Sequence, residues 1–277
     1  MKNNLRKIFL LIFFFHLQIN LLSASEDFIF ESKSIELFNS TKIIAKDGVK
    51  ITSSDGMNIS AFTSNYNKIS KILTLEKNII IKDEPNELSL NSEKIVYDKN
   101  KETIFSKDKT KIFLSDLYVL NGEDINFDRN LLKLTSKKNA ILRDKFDNIL
   151  NLDGFDYSIK NKQLQTNQLI FLDNKGNKYI SKKSMIDLNE QNIGSKDIEL
   201  YFNENGQLGK NARLKGSSLI SENNKTIISN GIFTTCKQNE KCPPWSLKSK
   251  KITHDVNKKI ISYDKSILQL YDIPVFY

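Results

Sequence analysis

An aromatic residue followed by a short polar turn returns along the chain at a nearly fixed interval. It is Tyr66-Asn67-Lys68, then Tyr97-Asp98-Lys99-Asn100, Phe127-Asp128-Arg129-Asn130 and Tyr157-Ser158-Ile159-Lys160-Asn161, at steps of 31, 30 and 30 residues. Looser echoes follow at Tyr201-Phe202-Asn203 and His254-Asp255-Val256-Asn257. Between these turns lies a second signal, a short apolar run closed by an acid: Ile79 to Asp83, Ile112 to Asp116, Ala140 to Asp144 and Leu169 to Asp173. A period in this range means one supersecondary unit stacked on copies of itself.

The unit is made of strands. Its runs are short, rich in Ile, Phe, Tyr and Thr, and bounded by Asn, Asp, Gly and Lys clusters. Alternation shows in Leu88-Ser89-Leu90, Ile95-Val96-Tyr97, Leu132-Lys133-Leu134 and Leu268-Gln269-Leu270. Asp47-Gly48, Asp55-Gly56, Asn121-Gly122, Asp153-Gly154, Asn205-Gly206 and Asn230-Gly231 tolerate positive φ and read as turns. Past residue 22 no window holds apolar residues at helical spacing over three turns. Two strands of about 8–11 residues and two turns fill about 30 residues. The expectation is an all-β array of antiparallel strand pairs. An open sandwich or jelly roll and a β-solenoid both satisfy it, and uneven gaps with only 10 Gly favour the former.

The N-terminus reads as a targeting segment. Lys2, Arg6 and Lys7 precede an apolar run from Ile8 to Leu22, and Ser23-Ala24-Ser25 supplies the small residues of a cleavage site. The run is shorter than the roughly 20 apolar residues of a membrane anchor. Residues 1–25 are therefore expected to be a signal peptide, and the chain to be exported. Lys and Arg outnumber Asp and Glu by 42 to 33, but they are spread evenly among acids rather than gathered in a stripe, so no nucleic-acid partner is expected.

Chemistry is sparse. The sequence holds no G-x-S-x-G, H-E-x-x-H, P-loop or G-x-G-x-x-G motif. His254 is the one histidine past the targeting segment and reads as a turn residue. Asp153/Asp156 and Glu123/Asp124 read as solvated turn faces, and Trp245 beside Pro243-Pro244 as a packing anchor. No enzyme activity, cofactor or metal site is expected.

One segment is more specific. Gly231-Ile232-Phe233-Thr234-Thr235-Cys236-Lys237 is followed by Lys241-Cys242-Pro243-Pro244-Trp245-Ser246-Leu247-Lys248, then Ile252-Thr253-His254-Asp255, and finally Tyr271-Asp272-Ile273-Pro274-Val275-Phe276-Tyr277. This resembles the LptD family of LPS-assembly proteins, at the end of its periplasmic N-terminal OstA-like domain. The upstream repeats resemble that family's sheet modules and would also fit the bridge proteins of the same pathway.

The resemblance implies an incompletely closed, twisted β-jellyroll of the OstA/LptA-like kind. It implies a groove that receives lipopolysaccharide from a periplasmic bridge and relays it to the outer-membrane translocon. The implied organisation is a signal peptide at 1–25, a repeated strand-pair jellyroll at 26–230, and a Cys-containing segment with an exit strand at 231–277, leading toward a barrel that does not follow. Lipid A acyl chains would meet the apolar runs, for which Ile79, Ile81, Ile112, Leu114, Ile141, Leu169 and Phe171 are the groove candidates. Each of them fits an ordinary sandwich core equally well.

The implied partners are lipopolysaccharide, a bridge protein of the same fold joined by edge-strand pairing, and an outer-membrane lipoprotein plug where a barrel is present. The implied location is the periplasm and the periplasmic face of the outer membrane. The family places at Cys236 a cysteine bonded to the barrel; without that partner, a local Cys236–Cys242 disulfide is the simplest outcome in an oxidising compartment. Two other readings stay open: a structural β-solenoid or scaffold of the envelope, and a carbohydrate-active periplasmic enzyme.

Overall fold

A computed structural model describes residues 27–205, 211–236 and 244–277. The signal peptide expected at 1–25, Gly206 and Cys242 lie outside the described residues.

Twenty strands make up the fold. The first six are short: β1 (Phe28–Glu31), β2 (Ser34–Phe38), β3 (Lys42–Lys46), β4 (Val49–Ser53), β5 (Asn58–Ala61) and β6 (Thr63–Asn67). The next seven are long: β7 (Ile72–Asp83), β8 (Leu88–Asp98), β9 (Thr103–Leu114), β10 (Tyr118–Asp128), β11 (Lys133–Asp144), β12 (Ile149–Ser158) and β13 (Gln163–Leu172). Then come β14 (Lys178–Asp187), β15 (Asn192–Tyr201), β16 (Arg213–Glu222), β17 (Lys225–Thr234), β18 (Trp245–Asp255), β19 (Ile260–Leu270) and the short β20 (Ile273–Phe276). The helical content of the described residues is a single 3₁₀ turn, Glu84–Asn86.

Every pairing is antiparallel, and from β7 onward each strand pairs with the next. Stacked coils of a one-strand-per-side solenoid would instead give parallel ladders. The six short strands fit the same scheme. Strand β7 pairs through its first half with β6 and through its second half with β5, so β5 and β6 are one long strand interrupted at Phe62. The pairs β3–β6 and β4–β5 make β3 and β4 a second interrupted strand, and β2–β3 with β1–β4 make a third. The chain is thus sixteen long antiparallel strands in sequence order, with β20 added at the end. At about 4.8 Å per strand step the array is roughly 70 Å long. The boundary expected near residue 230 falls inside β17, whose ladder continues on both sides.

Many of the long strands carry an irregularity near their middle. Lys77, Asn78, Asp108, Asp124, Gly154, Lys183, Asp197, Asn230 and Lys265 have positive φ within strands, and the register slips beside several of them. Such bulges bend a strand and increase its twist. Of the Asp-Gly and Asn-Gly pairs expected as turns, Asp55-Gly56 is one, closing β4 onto β5. Asn121-Gly122, Asp153-Gly154 and Asn230-Gly231 lie inside β10, β12 and β17, and Asp47-Gly48 makes the corner between β3 and β4. Positive φ falls at Asp47, Gly48, Gly56, Gly154 and Asn230, whereas in β10 it falls at Asp124 and not at the expected Asn121-Gly122.

A bent ladder leaves carbonyls without sheet partners, and small hydroxyls on the inner side take them up. Ser136 Oγ donates to the Glu123 carbonyl at 2.7 Å, Thr166 Oγ1 to that of Gly154 at 2.8 Å, and Ser249 Oγ to that of Asp264 at 2.8 Å.

The hairpins at one end of the strands carry the 30-residue signal. Asn67, Asp98, Asp128 and Asp187 each accept backbone N–H groups two or three residues on, which fixes a local turn. The turns also stack: Lys99 N–H donates to the Lys71 carbonyl, Arg129 to Glu102, Ile159 to Leu132 and Leu188 to Lys162. The aromatic residue before each turn points inward, and Tyr66, Tyr97, Phe127 and Tyr157 are all buried.

Candidate functional site

The bend divides the interior into two halves, each crossed by an apolar row that register alone defines. In the half holding β1, β4 and β5, Phe30 pairs with Ile51, Ile51 with Ile59, Ile59 with Ile81, Ile81 with Leu90, and Leu90 with Ile112. The row runs on through Leu120, Leu142, Leu150, Phe171, Tyr179 and Leu200. It ends with Leu214, Phe233, Leu247, Leu268 and Phe276. Each of the sixteen long strands contributes one large apolar or aromatic side chain, and β20 adds Phe276. The result is an unbroken rail from the first strand to the last.

The other half has a matching rail that ends early. It runs from Leu37 through Ile43, Tyr66, Leu73, Tyr97 and Ile104 to Phe127, Leu134, Tyr157, Leu164, Ile186 and Ile193. Beyond β15 the same register row continues as Ser221, Thr226 and His254. Burial follows chemistry. Leu73, Tyr97, Phe127 and Leu134 are fully covered, whereas Phe233, Leu247 and Leu268 are half-exposed and Ile252 is the last buried apolar residue.

The sequence-derived groove residues divide accordingly. Ile81, Ile112 and Phe171 stand on the first rail, and Ile79, Leu114 and Leu169 on neighbouring inward positions. Five of these six are packed within the core and Phe171 is half-buried against it. Ile141 is not with them. It lies on the outer face, 38% exposed, in register with Asn121 and Asn151, while its neighbours Ala140 and Leu142 take the inward positions. Leu90, Leu120, Leu142, Leu150 and Phe233 belong to the rail and were not singled out. Their signal was present in alternating stretches such as Leu88-Ser89-Leu90, which do not by themselves say which half they join.

The roll opens at its N-terminal end in a cleft of about 580 Å³ lined by Phe28, Phe30, Ile35, Leu37, Ile43, Tyr66, Lys68 and Lys71. Ile35 and Leu37 are exposed apolar residues at its rim. Phe28 makes edge-to-face contacts with Tyr66 at 5.0 Å and Tyr97 at 5.6 Å, which floors the cleft with aromatic rings. Asp27 accepts the Tyr66 hydroxyl at 2.8 Å and pairs with Lys71 at 3.2 Å.

The two ends of the bent strands meet along a seam. Arg129, in the β10–β11 turn, reaches the far end of β7 at Asp83 with Nε to Oδ2 at 3.1 Å, and Asp55 in the β4–β5 turn at 2.6 Å. The same guanidinium meets Glu102 at 2.7 Å and the Tyr97 hydroxyl at 3.1 Å, and Lys99 bridges Asp55 at 3.0 Å and Glu102 at 2.6 Å. Further along, Lys162 approaches Glu87 at 3.8 Å and the Tyr118 hydroxyl donates to the Leu188 carbonyl at 3.1 Å.

The seam perturbs its groups. Burial alone would raise the Asp55 carboxyl, but hydrogen bonds from Arg129, Ser53 and Lys99 hold it well below the usual carboxylate range. Tyr97 is pushed far up by burial and by its hydrogen bond to Glu102.

Residues considered for catalysis are scattered. His254 is exposed on β18, and Glu123 and Asp153 lie on the outer side of the bends. Among the described residues no group of three or more His, Cys, Asp or Glu could hold a metal ion. Cys236 sits beside the Trp245 carbonyl, Sγ to O at 3.7 Å, and Trp245 packs on Phe233 at 5.9 Å. Its pairing with Cys242 falls outside the described residues.

No family model matches the chain, and no curated protein does. Among solved structures it is similar to the crystal structure of LptH, the LptA homologous periplasmic component of the conserved lipopolysaccharide transport device from Pseudomonas aeruginosa. The match has 10% identity and a TM-score of 0.25, and it covers 54% of this chain and 96% of that one.

Proposed function

We propose that this chain is a non-enzymatic periplasmic carrier that holds the acyl chains of lipopolysaccharide along its interior and hands them along the strand array. The observation that carries the reading is the unbroken apolar rail from Phe30 to Phe276. Moving a glycolipid through water requires a surface on which hydrocarbon stays dry, and burial contributes about 0.8 kcal/mol per methylene. A rail with one apolar side chain per strand offers nearly equivalent positions at every step, so a chain can advance without leaving the apolar surface. On the strands of the half-exposed Phe233 and Leu247, the opposite row is polar, with Thr226 and His254 there. That stretch is suited to amphiphiles, with hydrocarbon against one half and polar groups toward the other. The resemblance of the Gly231–Tyr277 segment to LPS-assembly proteins supports lipopolysaccharide as the cargo. It also supports a bridge protein of the same fold as partner, and delivery to the outer-membrane translocon as the finer role.

Photo-crosslinking tests this. A crosslinking residue at Phe171, Phe233 or Leu247 should capture lipopolysaccharide, while the outward Ile141 and the turn residue Lys175 should not. Equal capture at rail and control positions, or none on the rail, would sink the proposal.

A further inference from the structure

The interior that the proposed function requires is packed where the seam closes it. Leu73, Leu75, Ile81, Ile104 and Ile112 are all within 1% of full burial, so cargo cannot enter this section unless the two halves part. Apolar side chains of both halves pack in one core there, Phe28 lying against Tyr66 and Tyr97, and polar contacts close its rim. Among the described residues, the backbone hydrogen bonds between turns join neighbours at the same end, as Lys99 to Lys71 and Ser115 to Glu87 do, and no strand pairing crosses from one end to the other. Side chains make the crossing, and Arg129 is their hub, held by Asp55, Asp83 and Glu102.

We infer that this seam is a lateral port and that the Arg129–Lys99 ion network is its latch; the inference rests on the carrier reading above. Two features separate a latch from a plain structural staple. A permanent closure is better made with apolar contacts, because a buried ion pair returns little net stability after desolvation while imposing a definite geometry. The two halves also remain continuous through the bends at Asp108 and Asp124, whose positive-φ bulges break the ladder and form a hinge line opposite the seam. Releasing Arg129 removes the centre of the polar closure without cutting any strand pairing.

The test uses the full chain with both native cysteines replaced (Cys236→Ser, Cys242→Ser) and a reporter at Ser106→Cys, a fully buried position beside Ser92 and Thr110. The rate at which a thiol reagent reaches Cys at that site measures opening without any lipid. Arg129→Gln should raise the rate by about 10- to 100-fold, the range expected for losing charge-assisted bonds in a mostly buried setting. The acceleration should depend on denaturant far less than global unfolding does. Lys133→Gln, which removes the neighbouring exposed pair with Asp156, should leave it within about twofold. Labelled lipopolysaccharide should load faster into the Arg129→Gln protein. An unchanged labelling rate, or one that tracks global unfolding, overturns the latch. Loading that is equal in all variants despite faster labelling overturns the port. If no variant binds lipopolysaccharide, the carrier reading fails, and the port as an access route fails with it, while the labelling data still decide whether the seam opens.

Discussion

The guanidinium of Arg129 lies 3.1 Å from the carboxylate of Asp83, which is fully buried and 46 positions earlier in the chain. Asp83 ends β7 at one end of the array, whereas Arg129 sits in a turn at the other. Their contact means that in this section the bent strands wrap far enough for opposite ends to meet, which makes a roll of what would otherwise be an open pleated ribbon.

Removing either partner should therefore cost more than an average surface change. Arg129→Met is expected to destabilise by about 3 kcal/mol, because it strands the buried Asp83 carboxylate, and Asp83→Asn by less, because Asp55 and Glu102 still hold the guanidinium. The double variant should cost less than the sum, with a coupling of about 1–3 kcal/mol in denaturant titrations. Strict additivity would show that the contact does not form in solution.

Acid should weaken the seam. Asp55 and Asp27 both have carboxyls held below their ordinary value. For Asp27, burial pushes upward but hydrogen bonds from Tyr66 and Lys71 pull harder downward. A group depressed in the folded state contributes stability above its unfolded pKa and loses it as the pH falls toward the folded value. The loss should begin below about pH 4, near the unfolded aspartate range. Urea midpoints measured from pH 7 to pH 2 should fall across that window, and Asp55→Asn should fall less steeply.

Adjacent residues on β11 should behave oppositely. Ile141 faces out and Leu142 stands on the rail at 1% exposure. Leu142→Ala is expected to cost about 2–5 kcal/mol through lost burial and a cavity. Ile141→Ser should stay within about 0.5 kcal/mol, as an exposed change away from special features does. A reversed order in thermal or chemical unfolding would mean the register of β11 is wrong.

Gly231 is a packing requirement rather than a turn requirement. A Cβ there would come within 2.4 Å of Ile252 Cδ1. Gly231→Ala should destabilise by about 1–3 kcal/mol through overpacking. Ile252→Val in the same chain should recover part of that loss by clearing the terminal methyl; no recovery would refute a steric cause.

Much of this fold was legible in the residues. The aromatic before each polar turn, recurring near every 30 residues, marked the hairpins at one end, because Asp and Asn build those turns locally and need no distant partner. The apolar runs marked the second half-strands for the same local reason. The seven groove candidates fared unevenly because a run such as Ala140-Ile141-Leu142 is apolar on both faces. Which member points inward depends on the bulge between Ser136 and Asn139, where β11 slips against β12. A slip of this kind resets the alternation, and nothing in the run itself records it.

The sequence by itself determined the strand class, the repeat and the positions where the backbone can take positive φ, since all three rest on short-range sterics and hydrogen bonding. Only the tertiary structure decided that Asp153-Gly154 and Asn230-Gly231 bend strands instead of ending them, and that Asn121-Gly122 lies within a strand whose bulge is at Asp124. A residue that permits a corner does not say whether the chain on either side will pair with the same neighbours, and here it does. It likewise decided that seventeen separate apolar positions line up as one rail and that Arg129 closes on Asp83. Both follow from how far each bent strand wraps and how it registers with the next, quantities summed over contacts dozens of residues apart.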